Sequence, residues 1–235
     1  MSIVFLSGCS VPPARTPTPP ATTSAERPAF GDAPTPAAIG YPEVGPGTYA
    51  VNPLGGPVVG HGGRLLRYRV AVEDGITGVT AQAFAEQVSA VLDDPRSWTG
   101  TGQWRLQRVP AGSPYDFTIV LATPATRDAL CRDGYDRWTS CRKDDWVVLN
   151  VARWVHGAPS FGDDLAGYRE YMINHETGHR LYHGHELCPG PGSLAPVMQQ
   201  QSLGLHGCRP NGWPLVDGRP YHGVSGQYGD TPPPA

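Results

Sequence analysis

The chain has no surplus of positive charge, almost no lysine, no cysteines at C-x2-C spacing and no internal repeat. Its 18 Lys and Arg stand against 21 Asp and Glu, a formal net charge of −3, and the basic residues are nearly all arginines scattered along the chain. A domain that tracks phosphates carries a basic patch or stripe, so no nucleic-acid partner is expected. The N-terminal apolar run, Ile3 to Leu6, falls far short of the ~20 residues that span a bilayer, and no basic region precedes it. Charged residues make up 17% of the chain, whereas Gly and Pro contribute 30 and 26 residues. Ten of the 26 prolines lie in one stretch, residues 10–47, a Pro/Thr-rich sequence with almost nothing apolar to bury. It reads as a solvated, disordered tether.

Within residues 1–9, Leu6-Ser7-Gly8-Cys9 has the apolar, small, small, Cys order of a bacterial lipoprotein signal in truncated form, with Cys9 as the acylated residue. The expectation is a membrane partner reached through a lipid anchor at Cys9, at the extracellular face of the cell membrane, or secretion. Export suits the remaining cysteines, Cys131, Cys141, Cys188 and Cys208, an even number. Three pairings are possible. The local one, Cys131 with Cys141 and Cys188 with Cys208, closes the shortest loops and is expected here as two structural disulfides. Residues 48–221 are long enough for one folded domain, and 222–235 read as a flexible tail.

The periodicities predict an α+β domain. Residues 64–74 form a strand ended by Asp74-Gly75; Thr80 caps a helix whose stripe is Ala81, Phe84, Val88 and Val91. Residues 103–109, 116–123 and 145–155 are strands, the last apolar enough to be buried on both faces. A long helix then begins at Asp163 as N-cap, with Leu165, Tyr168 and Met172 facing the protein body. Beyond it lies an irregular, disulfide-stapled part. His175 and His179 continue the helix's apolar stripe.

Those histidines open the segment HETGHRLYHGHE, residues 175–186. Four residues apart on a helix, two imidazoles stack one turn apart and reach one ion at Zn–N distances of about 2.0–2.1 Å. Glu176 is offset by about a third of a turn, off the ion but close to a water beside it, where a carboxylate can take a proton and return it to a leaving amine. A catalytic Zn2+ needs a third protein ligand. His183 lies ~12 Å along an unbroken helix from His175 and cannot supply it. His185 can, provided the chain turns, and Gly184 permits the turn. His61, His156, His206 and His222 read as surface or satisfied polar residues, and Glu186 as a solvated helix end rather than an orienting partner of His185. The tryptophans read as core or rim packing.

HExxH with a third His at position 185 resembles the metzincin zinc peptidases, whose motif is HExxHxxGxxH with a downstream Met-turn. The resemblance implies a metzincin-like fold with a mixed twisted sheet, one packing helix and a long active-site helix. It also implies Met198 as the Met-turn residue beneath the zinc. The motif glycine falls at position 182, which is Tyr182, so Gly184 is expected to take over its turn. Asn174 to Glu186, Cys188 to Gly190, Ala195 to Gln201 and Gly207 to Pro214 are also similar to an actinobacterial family of secreted metzincin-like domains. That likeness supplies no substrate.

The expected function is a cell-surface, zinc-dependent peptidase that acts on a peptide or protein substrate. His175, His179 and His185 are ligands, Glu176 is base and then acid, and the substrate pairs with an edge strand within residues 116–123. One rival is a zinc-stabilised binding domain without turnover; another is a hydrolase of peptidoglycan amides.

Overall fold

A computed structural model describes Met1, Ile3 and residues 38–233. Cys9 and most of the expected tether lie outside the described residues. Two short strands, β1 (Tyr49–Val51) and β2 (Val58–Val59), precede β3 (Arg64–Glu73), α1 (Ala81–Leu92), β4 (Trp104–Arg108) and β5 (Phe117–Ala122). Then come α2 (Pro124–Cys131), β6 (Cys141–Lys143), β7 (Trp146–Asn150), α3 (Val151–His156), α4 (Leu165–Arg180), β8 (Leu215–Val216) and β9 (Arg219–Pro220). The result is a mixed α+β fold with four α-helices among the described residues and two disulfides, Cys131–Cys141 and Cys188–Cys208. No helix among the described residues is long and apolar enough to cross a membrane.

The main sheet runs β2-β4-β3-β5-β7-β6, with β1 also paired to β3. β3 lies parallel to β4 and β5, and β5 parallel to β7, while β1, β2 and β6 are antiparallel additions. Parallel strands need covering on both faces. Leu66, Tyr68, Val70, Ile119, Leu121, Val147 and Leu149 join one core with Phe84 and Val88 of α1 and Tyr168, Met172 and Ile173 of α4. Ala71, Val120, Ala122 and Val148 point the other way, toward Cys131 at the end of α2. In α1 the Thr80 hydroxyl caps Ala83, and Leu92 rather than Val91 completes the buried stripe.

β5 therefore sits inside the sheet, buried along its length between β3 and β7. Its backbone groups are already paired on both sides, so it cannot be the edge for substrate that was expected within residues 116–123. The edge strand on that side is β6, half-buried along its length.

The apolar run 145–155 divides at Asn150 into β7 and α3. The Asn150 side chain accepts from Ala152 N and donates to the Arg137 carbonyl, so it caps the helix and fixes the preceding loop at once. α4 is capped by Asp164, one residue later than expected, through Gly167 N. Both expected disordered boundaries shift as well. Residues 38–47 are tied to the domain by the Gly40–Thr77 bridge, by Gly45 N donating to Thr123 Oγ1 and by Ala125 N donating to the Glu43 carbonyl. Residues 222–230, expected as a flexible tail, pack along the chain that follows α4.

Candidate metal centre

α4 lies with Asn174 and Thr177 fully enclosed and Gly178 buried, and polar anchors fix its rotation. Asn174 donates to the Gly212 carbonyl and accepts from Ser97 Oγ, while Trp98 Nε1 donates to the Asn174 carbonyl. Gly178 faces Met198 and Trp98 so closely that no side chain fits between. That close approach turns His175, Glu176 and His179 toward one cleft of about 680 Å³.

The helix ends by a left-handed turn, and the turn is at Tyr182, whose φ is 71°. Gly184, which was expected to provide it, is not among the positive-φ residues. Tyr182 N donates to the His179 carbonyl and His183 N to the Gly178 carbonyl, the pair of bonds that makes a Schellman C-cap. The His183 ring then stacks on Trp98 at 4.3 Å between centroids, which pins the residue after the turn. Position 182 thus does what the motif glycine would do, at the cost of about 1–2 kcal/mol that an L side chain pays in this region.

The turn brings His185 back beside the helix. His179 Nε2 is 3.2 Å from His175 Nε2 and 3.1 Å from His185 Nε2. All three ligand atoms lie within 4.8 Å of one another. Each ring's other nitrogen faces an oxygen: His175 Nδ1 is 2.8 Å from the Val197 carbonyl, His179 Nδ1 2.9 Å from the His183 carbonyl, and His185 Nδ1 3.0 Å from Gln227 Oε1. Such oxygens accept, so each Nδ1 carries the proton and each Nε2 presents a bare lone pair. Three lone pairs pointed into one small volume repel unless a cation lies between them. Around an ion with ~2.05 Å bonds, tetrahedral nitrogens are ~3.3 Å apart, close to the spacing here. The donor set fits a metal with a preference for imidazole.

The electrostatics favour neutral imidazoles. Burial, then the neighbouring His179 and His185, holds His175 well below the usual histidine range. Burial, then His185, lowers His179 to about 4. Glu176 is 6% exposed, its Oε2 is buried without a partner, and it lines the same cleft as the imidazoles. Burial pushes its carboxyl up to about 8; Arg127 opposes the rise, and Asp133 and Asp136 add to it.

Met198 is buried, its sulfur against the backbone at Gly178. The segment around it braces two of the three imidazoles. The carbonyl of Val197 holds His175, and the carbonyl of Met198 accepts from Glu186 N, beside His185. Glu186 is not a free helix end, nor does it touch His185: its carboxylate accepts from Gly223 N at 2.9 Å and lies 3.2 Å from His222 Nδ1. Of the histidines set aside, His206 pairs with Asp230 and His156 with the Tyr41 hydroxyl.

The opposite wall of the cleft comes from the loop closed by Cys131–Cys141. Arg127, 1% exposed, forms a two-pronged bond with Asp133 and also donates to Asp128 and to Thr139. Asp136 closes the group through Arg127 and the Thr139 hydroxyl. Composition gave no sign of this network, because its members become neighbours only once α2 and the disulfide bend the loop over the cleft. Thr123-Pro124, a cap residue followed by proline, was the available signal for α2.

A family model described as "Protein of unknown function (DUF3152)" matches residues 35–213. No curated protein and no solved structure matches the chain.

Proposed function

Because the chain belongs to the DUF3152 family, whose description assigns no activity, we propose its function from its own site: a zinc-dependent hydrolase of peptide bonds with a metzincin-like arrangement. One observation carries the reading. Three imidazole Nε2 atoms converge while every Nδ1 is committed to an oxygen, and the unpartnered carboxylate oxygen of Glu176 belongs to the same cleft. His175, His179 and His185 would hold the ion. The left-handed turn at the position of the motif glycine supports the metzincin likeness, and so does the Met198 segment packed beneath α4.

Zinc, when bound, supplies Lewis acidity to a carbonyl and acidity to a water. The chain's own groups do the rest. The outer edge of β6, whose Cys141 and Arg142 line the cleft, offers backbone donors and acceptors to an extended substrate. Glu176 takes one proton from a water as its oxygen bonds to the carbonyl carbon. It delivers that proton to the nitrogen as the C–N bond breaks, leaving a carboxylic acid and an amine. A cation nearby favours the ionised form of Glu176 that this role needs. The two disulfides suit a protein outside the cytosol, consistent with lipid attachment at Cys9 and a cell-surface place.

Elemental analysis beside assays of Glu176→Gln tests the proposal. One zinc per chain, retained in the variant while cleavage of peptide substrates falls at least ~100-fold, is expected. Zinc without any turnover in the wild type would make this a zinc-stabilised binding domain. Turnover of muropeptides alone would move the substrate to peptidoglycan amides.

A further inference from the structure

His185 differs from the other two imidazoles in how it is held. His175 and His179 are oriented by main-chain carbonyls, which no substitution at those positions removes. His185 is oriented by the side chain of Gln227, 42 residues away. The segment that carries Gln227 lies along the third-ligand loop by main-chain pairing. Leu187 N donates to the Val224 carbonyl at 2.8 Å, and Gly226 N donates to the His185 carbonyl at 3.0 Å. Anchors hold both ends: Glu186 on Gly223 N, the Tyr228 hydroxyl on Cys188 N, and Asp230 on His206. At Gly223 the approach is so tight that a Cβ would come within 2.1 Å of the Leu187 carbonyl oxygen.

We propose that the segment from His222 to Asp230 is part of the metal centre and that Gln227 is the positioning residue for its third ligand, an inference that rests on the zinc reading above. An imidazole that loses its Nδ1 acceptor is free to rotate and to place its proton on Nε2. In that tautomer the lone pair lies on Nδ1 and Nε2 offers none to the ion. Partners of this kind change metal affinity by about 10–100-fold.

The test uses the full chain, zinc alone as the probe, and competition against a chelating dye. Gln227 is exposed, so its replacement leaves the core intact. Gln227→Leu is expected to weaken zinc binding at least ~10-fold, and Gln227→Glu, which keeps an acceptor, to bind as tightly as the wild type or more so. Nitrogen-15 NMR of the metal-free protein gives a second readout: His185 should hold its proton on Nδ1 in the wild type and exchange between both nitrogens in Gln227→Leu. A wild type that takes up no zinc overturns this inference together with the proposed function. Zinc binding unchanged in Gln227→Leu overturns this inference alone, and so does weakened binding that Gln227→Glu fails to restore.

Discussion

Gly178 approaches Met198 so closely that a methyl group on its α-carbon would meet the methionine sulfur at 2.5 Å and the Trp98 ring at 2.7 Å. The contact sets how deeply α4 sinks toward the segment that orients His175. Gly178→Ala should therefore cost about 1–3 kcal/mol as the helix is pushed outward, despite the better helix propensity of alanine. Chemical denaturation of the two proteins measures it. A variant as stable as the wild type would mean that the floor under the helix yields freely.

Tyr182 invites the opposite experiment. Its φ of 71° carries a steric cost that glycine lacks, while glycine loses more freedom on folding. The balance predicts that Tyr182→Gly raises stability by about 0.5–1 kcal/mol. Metal content should not change, since the turn persists. A loss of stability would show that the tyrosine ring's contacts outweigh the backbone strain.

Metal removal should be felt throughout the domain, because an ion bound to the folded state alone stabilises it by mass action. At a free zinc concentration ~1,000 times its Kd the gain is about 4 kcal/mol. Thermal unfolding with zinc and with a chelator should differ in the wild type and coincide in His175→Ala. Equal midpoints in the wild type would contradict a folded-state metal site.

Asp128 gives a pH dependence that is separate from the imidazoles. Burial alone would raise its carboxyl, but backbone donors from Arg137 and Asp136 and the Arg127 guanidinium outweigh that and lower it. A lowered folded-state value means stability that is present above the unfolded-state value, ~3.9, and lost as pH falls through the folded-state value. Asp128→Asn should thus be less stable than the wild type at pH 7, with the gap closing below about pH 4. Melting curves across that range decide it, and a gap unchanged at pH 2.5 would assign the effect to packing.

The sequence exposed what is local and periodic. α1 with its Thr80 cap, α4, the strands β3, β4, β5 and β7 and the neighbours of His175 all follow from spacing within a few residues. Four features did not. Asn150 ends a strand and starts a helix within one apolar run, which composition cannot divide. The left-handed residue after α4 is a tyrosine two positions before a glycine, so propensity pointed to the wrong residue. β5 is hydrogen-bonded between β3 and β7, strands distant from it in the chain, and that order, which no local pattern records, puts the expected edge in the middle of the sheet. Gln227 is the extreme case. Nothing near it in the chain hints at histidine chemistry, because its partner is reached through a fold-back of 42 residues.

That fold-back also fixes an order of events. A chain made from its N-terminus presents the parallel strands and α1 first, then the two helical histidines and His185, and the acceptor for His185 only 42 residues after it. On a ribosome the sheet can close and the first two imidazoles can meet while the third still lacks its holder. Under the zinc reading proposed above, the centre would become competent to hold an ion only once the segment that carries Gln227 has folded back on His185.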